Sequence, residues 1–179
     1  MEILLNNYGE DLVNHALKSP ANKRKVGCII FDNIHNTYIY GHNYITQAPK
    51  DFPTYVEKPN GVTSNYTIHA EESAIFRQLT SKPDERYNMI KPIDEYLNIY
   101  PLVMISTYSP CANCAKMIVQ SGIKCVIIVN IHVNNFLMHE YHNNIPIDYS
   151  VKDYLETNGV NLLFVDTEKY QLFNIPNLK

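Results

Sequence analysis

Two largely apolar runs, LVMIST at 102–107 and VIIVNI at 126–131, bracket one helix-length segment, and this pairing constrains the architecture more than any other feature of the chain. A strand that is apolar at every position must be covered on both faces, which is the condition of parallel strands joined by helical crossovers. The segment between the runs, from about Ala112 to Ser121, suits such a crossover and stops at Gly122. Upstream, KVGCIIF at 25–31, the turn-like DNIHN and the run TYIYG predict an antiparallel hairpin. Leu12, Val13, Ala16 and Leu17 recur at helical spacing before Ser19-Pro20, predicting a helix over 9–18. A second helix fits His69–Leu79, with Ala70, Ala74 and Ile75 turned inward, and a third begins near Val151 ahead of a last strand at 160–165. Short helices are also expected around 93–99 and 134–141. Residues 43–67, with Pro49, Pro53 and Pro59-Asn60-Gly61, have no stable period and predict a long loop of the kind that serves as a lid or binding loop. The order helix, two strands, helix, strand, helix, strand, helix, strand describes an α/β fold of three α/β/α layers around a central mixed five-stranded sheet. One domain over residues 1–179 is expected, its core spanning about 8–165 and its tail 166–179.

The chemistry concentrates in His69-Ala70-Glu71 and in Pro110-Cys111 followed by Cys114. One imidazole and two thiolates make a three-ligand zinc site whose fourth position stays open for water. Each group opens a predicted helix, where the helix dipole favours a thiolate and ligands distant in sequence can meet. Pro110 suits a helix entry, since its missing amide hydrogen is not needed there. Glu71, two residues after the histidine, can lie beside the metal without ligating it, as a proton shuttle must. Two other readings remain open on these residues alone. A purely structural zinc would take a fourth protein ligand from His42, His132, His139 or His142, and a thiol-redox pair at Cys111 and Cys114 would leave His69 and Glu71 unexplained. Cys28 and Cys125 sit in apolar runs and read as small buried hydrophobes.

Charge narrows the partners. Fifteen Lys+Arg against eighteen Asp+Glu give a formal charge of −3, whereas gripping a long phosphate backbone calls for a net basic face, so nucleic acid is disfavoured. No apolar run approaches the length of a membrane span, and MEILLNNYGEDL has no basic region ahead of a sustained apolar one, so a cytoplasmic location is expected. Lys23, Arg24 and Lys25 form the densest basic cluster, which reads either as a solvated loop that aids solubility or as contacts for a phosphate group. The long loop, carrying Lys50 and Lys58, could close over such a group or build a subunit contact, and Lys116 near the Cys111 helix could equally point to solvent.

The arrangement H-x-E…P-C-x-x-C is the signature of zinc-dependent base deaminases. In IHAEESAI at 68–75 and SPCANCAKMIVQSGIKCVII at 109–128, and in KVGCIIF and Gly41-His42-Asn43 before them, the chain resembles the cytidine and deoxycytidylate deaminase superfamily, above all its deoxycytidylate branch. The resemblance covers most of residues 8–165 and implies the cytidine-deaminase-like fold, one catalytic Zn2+ per chain on His69, Cys111 and Cys114, and Glu71 as the catalytic shuttle. It further implies that Asn43 holds the sugar hydroxyl and that backbone groups of Ala70 and Ser109 contact the pyrimidine. The implied reaction is hydrolytic deamination of dCMP to dUMP with release of ammonia, which supplies dUMP for thymidylate synthesis. A homo-oligomer and dCTP or dTTP as effectors are implied as well. Two features depart from the family pattern: Ser73 stands where Asn is usual, and YITQAPKDFP follows Asn43 in place of a short Gly-containing turn. The competing functions are deamination of free cytidine or another small base, deamination of tRNA or single-stranded DNA, and a non-enzymatic zinc-stabilised nucleotide-binding protein. Abundant Asn, Ile and Tyr fit an AT-rich source genome, which would make the location a host cytoplasm if that source is viral.

Overall fold

The computed structural model describes residues 2–21, 25–45, 67–89, 97–129 and 149–165. Helix α1 (Glu2–Leu17) leads into the hairpin β1 (Gly27–Asp32) and β2 (Thr37–His42), and two short strands follow, β3 (Tyr44–Ile45) and β4 (Thr67–Ile68). Next come α2 (Ala70–Thr80), β5 (Tyr87–Asn88), β6 (Leu102–Ser106), α3 (Ala112–Gln120), β7 (Cys125–Val129), α4 (Tyr149–Thr157) and β8 (Asn161–Val165). The main sheet runs β5-β2-β1-β6-β7-β8. Its first half is antiparallel, while β6, β7 and β8 are parallel, in keeping with the apolar, buried sequences of β6 and β7.

Alternation along the strands supplies both cores. Ile29, Phe31, Val103, Ile105 and Ile127 face α1, where Tyr8 and Leu12 complete one buried cluster. Cys28, Ile30, Met104, Val126 and Ile128 face the other way, onto Ala70, Ala74 and Ile75 of α2, Ala115 and Ile118 of α3, and Val151 and Leu155 of α4. Three α/β/α layers result. Cys28 and Cys125 are fully buried among these apolar neighbours, and burial pushes the Cys125 thiol up to about 11. Gly122 ends α3 at φ +82°, a backbone conformation that glycine adopts at little cost.

The expected five-stranded sheet is corrected to six strands. β5 contributes the extra edge, pairing Tyr87 with Tyr38 and Asn88 with Thr37, and two exposed residues are too short to carry a period. Within the expected loop, Tyr44–Ile45 and Thr67–Ile68 pair as a separate two-stranded ribbon, while residues 46–66 lie outside the described residues. The expected helix at 93–99 is a turn over Leu97–Ile99, with 93–96 outside the described residues, as are 134–141 and the tail. No helix among the described residues is long and apolar enough to cross a membrane.

Gly41 sets how closely α2 approaches the sheet. A Cβ there would stand 2.2 Å from the Ala70 carbonyl oxygen and 2.6 Å from the Ala74 nitrogen, so the first turn of α2 lies directly on β2. Backbone cannot rotate aside as a side chain can. Gly41→Ala is therefore expected to lower stability by about 1–3 kcal/mol, seen as a lower urea midpoint. A wild-type midpoint would show that α2 can shift away freely.

Candidate metal centre and active site

The site forms at the end of the sheet where β6 finishes and β1 begins, a register fixed by the pairing of Cys28 with Ser106. His69 and Cys111 occupy equivalent places, each the residue capping the amino end of a helix, α2 and α3 respectively. Both caps are extended, and each carbonyl accepts the first helical amide hydrogen bond, from Ser73 at 2.9 Å and from Ala115 at 2.9 Å. The Glu72 carboxylate accepts from the His69 backbone N–H at 3.4 Å, which steadies the start of α2. Cys114 lies in the first turn of α3, buried, so two helix amino termini converge on one point.

His69 Nδ1 lies 3.5 Å from Cys111 Sγ and 3.4 Å from Cys114 Sγ, and the three ligand atoms fall within 4.8 Å of one another. Tetrahedral zinc with ordinary Zn–N and Zn–S bonds separates such ligands by about 3.6 Å, so the donor set and its spacing both fit Zn2+. Hydrogen bonds from Cys114 and His69 draw the Cys111 thiol down to about 3, while its hydrogen bond to Cys111, reinforced by burial, pushes the Cys114 thiol up. A bound Zn2+ would take the place of that shared proton, held by His69, Cys111 and Cys114. The hydrogen bond with Cys111 raises the His69 imidazole against the opposing effect of burial.

Glu71 is buried within reach of this group but turned beside it. Its Oε2 lies 3.6 Å from Cys114 Sγ, and its Oε1 accepts a hydrogen bond from Ser106 Oγ at 3.2 Å. Burial pushes its carboxyl above the usual carboxylate range. Next to it opens a cavity of about 140 Å3 lined by Val26, Asn43, Thr67, His69, Ala70, Glu71, Tyr108, Ser109 and Cys111. A cavity of about 150 Å3 is enough to admit benzene, so this one accepts a single six-membered ring.

Asn43 is buried at the cavity wall, its Oδ1 accepting the Val26 N–H at 2.9 Å. Ala70 and Ser109 also line the cavity. Lys25 is not among the described residues that do; its ammonium donates to the Ser19 carbonyl, and Lys23 and Arg24 lie outside the described residues. Lys116 is exposed on α3, and Lys50 and Lys58 lie outside the described residues. His42, a possible fourth ligand, packs its ring 5.9 Å from the ring of Tyr44 and is not part of the ligand group, and His132, His139 and His142 lie outside the described residues. Sequence reasoning overlooked Ser106, Thr67, Val26 and Tyr108. The signal for Ser106 was a hydroxyl closing the apolar LVMI run, on the same strand face as buried Met104.

The family model of the cytidine and deoxycytidylate deaminase zinc-binding region matches residues 5–130. The chain belongs to this family. Among solved structures it is similar in fold to the dCMP deaminase of cyanophage S-TIM5 in complex with dCMP and dUMP, with a TM-score of 0.58 at 23% identity, covering 88% of this chain and 93% of that one. The apo form of that phage enzyme gives a TM-score of 0.55 at 22% identity, over 88% and 94% of the two chains. No curated protein sequence gives a significant match.

Proposed function

We propose that this deaminase-family chain converts dCMP to dUMP by zinc-dependent hydrolysis, releasing ammonia. The observation that carries the reading is the buried carboxyl of Glu71 beside a His-Cys-Cys ligand set, lining with His69 and Cys111 a cavity of one-ring size. Zinc held by His69, Cys111 and Cys114 supplies the Lewis acidity that makes water a nucleophile near pH 7. Glu71 takes the proton that this water gives up and delivers it to ring N3, leaving C4 open to attack by hydroxide. After C4 becomes tetrahedral, Glu71 takes the proton of the new C4 hydroxyl and passes it to the amino group; the C4–N bond breaks as the C4 carbonyl forms, giving ammonia and a uracil ring. Backbone groups of Ala70 and Ser109 orient the ring, and Asn43, braced by Val26, meets the sugar. Lys23, Arg24 and Lys25 remain the proposed phosphate contacts.

In this reading the base sits in the cavity, and the sugar, met by Asn43 at the cavity wall, and the phosphate extend from it. The likeness in fold to an enzyme crystallised with dCMP and dUMP supports a nucleotide of that size. Incubating the zinc-loaded protein with dCMP, deoxycytidine, dCTP and a cytosine-containing single-stranded DNA, at matched cytosine concentration, tests the assignment by chromatography of the uracil products. Conversion of dCMP well above the others is expected. Turnover of the oligonucleotide alone, or of nothing, would overturn it.

A further inference from the structure

Ser106 is fully buried at the last position of β6, held between neighbours on both sides by its pairing with Cys28 and with Ile128. Its Oγ has two polar neighbours, Tyr108 N at 3.4 Å and Glu71 Oε1 at 3.2 Å. An amide nitrogen can only donate, so the serine oxygen accepts from Tyr108 and its one hydrogen goes to Glu71. The direction of the chain is thereby fixed, from backbone through hydroxyl to carboxylate. Oε1 accepts from Ser106 while Oε2 lies on the Cys114 side of the carboxylate, 3.6 Å from Cys114 Sγ, so the two oxygens hold distinct places.

Resting on the reaction proposed above, we infer that Ser106 is a positioning residue, which pins Oε1 of Glu71 and so holds Oε2 on the Cys114 side of the site. A glutamate side chain has three rotatable bonds, and without the pin either oxygen could turn towards the substrate. A donor on a rigid strand removes that freedom before substrate arrives.

The test compares wild type, Ser106→Ala and Ser106→Thr on the cytosine substrate that wild type converts fastest, with kcat, KM, zinc content and Tm measured for each. Ser106→Ala is expected to lose about 10- to 100-fold in kcat with KM within about twofold and zinc unchanged. Ser106→Thr keeps the hydroxyl and should recover kcat to within about fivefold of wild type. An alanine variant with wild-type kcat, equal losses in both variants, or a loss confined to KM or zinc content would overturn the positioning role. A wild type that deaminates no cytosine substrate sinks the proposed reaction itself, whereas an active wild type matched by Ser106→Ala sinks only this inference.

Discussion

Glu71→Gln should bind zinc at wild-type stoichiometry and lose at least about a thousandfold in kcat, within the range that positioned acid–base groups contribute. Glutamine matches glutamate in shape, and its amide oxygen can still accept the Ser106 hydrogen bond. The amide cannot, however, take a proton from water and hand it to the ring. His69, Cys111 and Cys114 are untouched, so metal analysis separates a lost shuttle from a lost site. Stability should move in the opposite direction to activity. Burial disfavours the Glu71 carboxylate in the free protein, and a neutral side chain of the same size removes that penalty, so Tm should stay level or rise. Near-normal turnover would show that Glu71 is not the shuttle, and loss of zinc would show that it supports the ligand set instead.

The ligand group was legible because its chemistry is local at each end. His69-x-Glu71 and Cys111-x-x-Cys114 each open a helix, and unusual residues at a helix start stand out against the apolar periods around them. The parallel half of the sheet was legible for a similar reason, since β6 and β7 are apolar at nearly every position. What could not be read was whatever depends on pairing across the chain. β5 is two exposed residues whose only strand-like property is the partner Tyr38–Thr37 edge supplied by β2. Ser106 gains its meaning from a carboxylate 35 positions away, and Asp32 from side chains 46 and 54 positions away. A buried polar residue within an apolar strand announces that a partner exists but does not name it.

Asp32 is the second place where a single change should have a large effect, here on stability. At the carboxyl end of β1 its Oδ1 accepts the backbone N–H groups of Ile34 and His35, both at 3.1 Å, which shapes the hairpin turn. Its Oδ2 accepts from Arg86 Nη1 at 2.8 Å, His35 Nδ1 at 2.8 Å and Gln78 Nε2 at 3.1 Å. Arg86 in turn donates to the carbonyls of Gln78 and Ser81, so one carboxylate ties the hairpin to the carboxyl end of α2, the helix whose other end carries His69 and Glu71. The Arg86 and Asp32 side chains are only 8% and 5% exposed. Asp32→Ala would strand a buried guanidinium and two turn amides, an expected loss of about 3–5 kcal/mol, comparable with a large share of a domain's total stability. The pH dependence has a definite sign. Burial pushes the Asp32 carboxyl up, but hydrogen bonds from the His35 side chain and backbone, the His35 charge and the Gln78 amide outweigh it and hold the group below its usual 3.8. A depressed folded-state value means that the contribution is present above about pH 4 and is lost as pH falls through that lower value. Urea denaturation of wild type and Asp32→Asn should therefore show a wide stability gap at pH 7 that narrows below pH 4. A gap that stayed constant across this range would mean that the ionised carboxylate is not what holds the hairpin to α2.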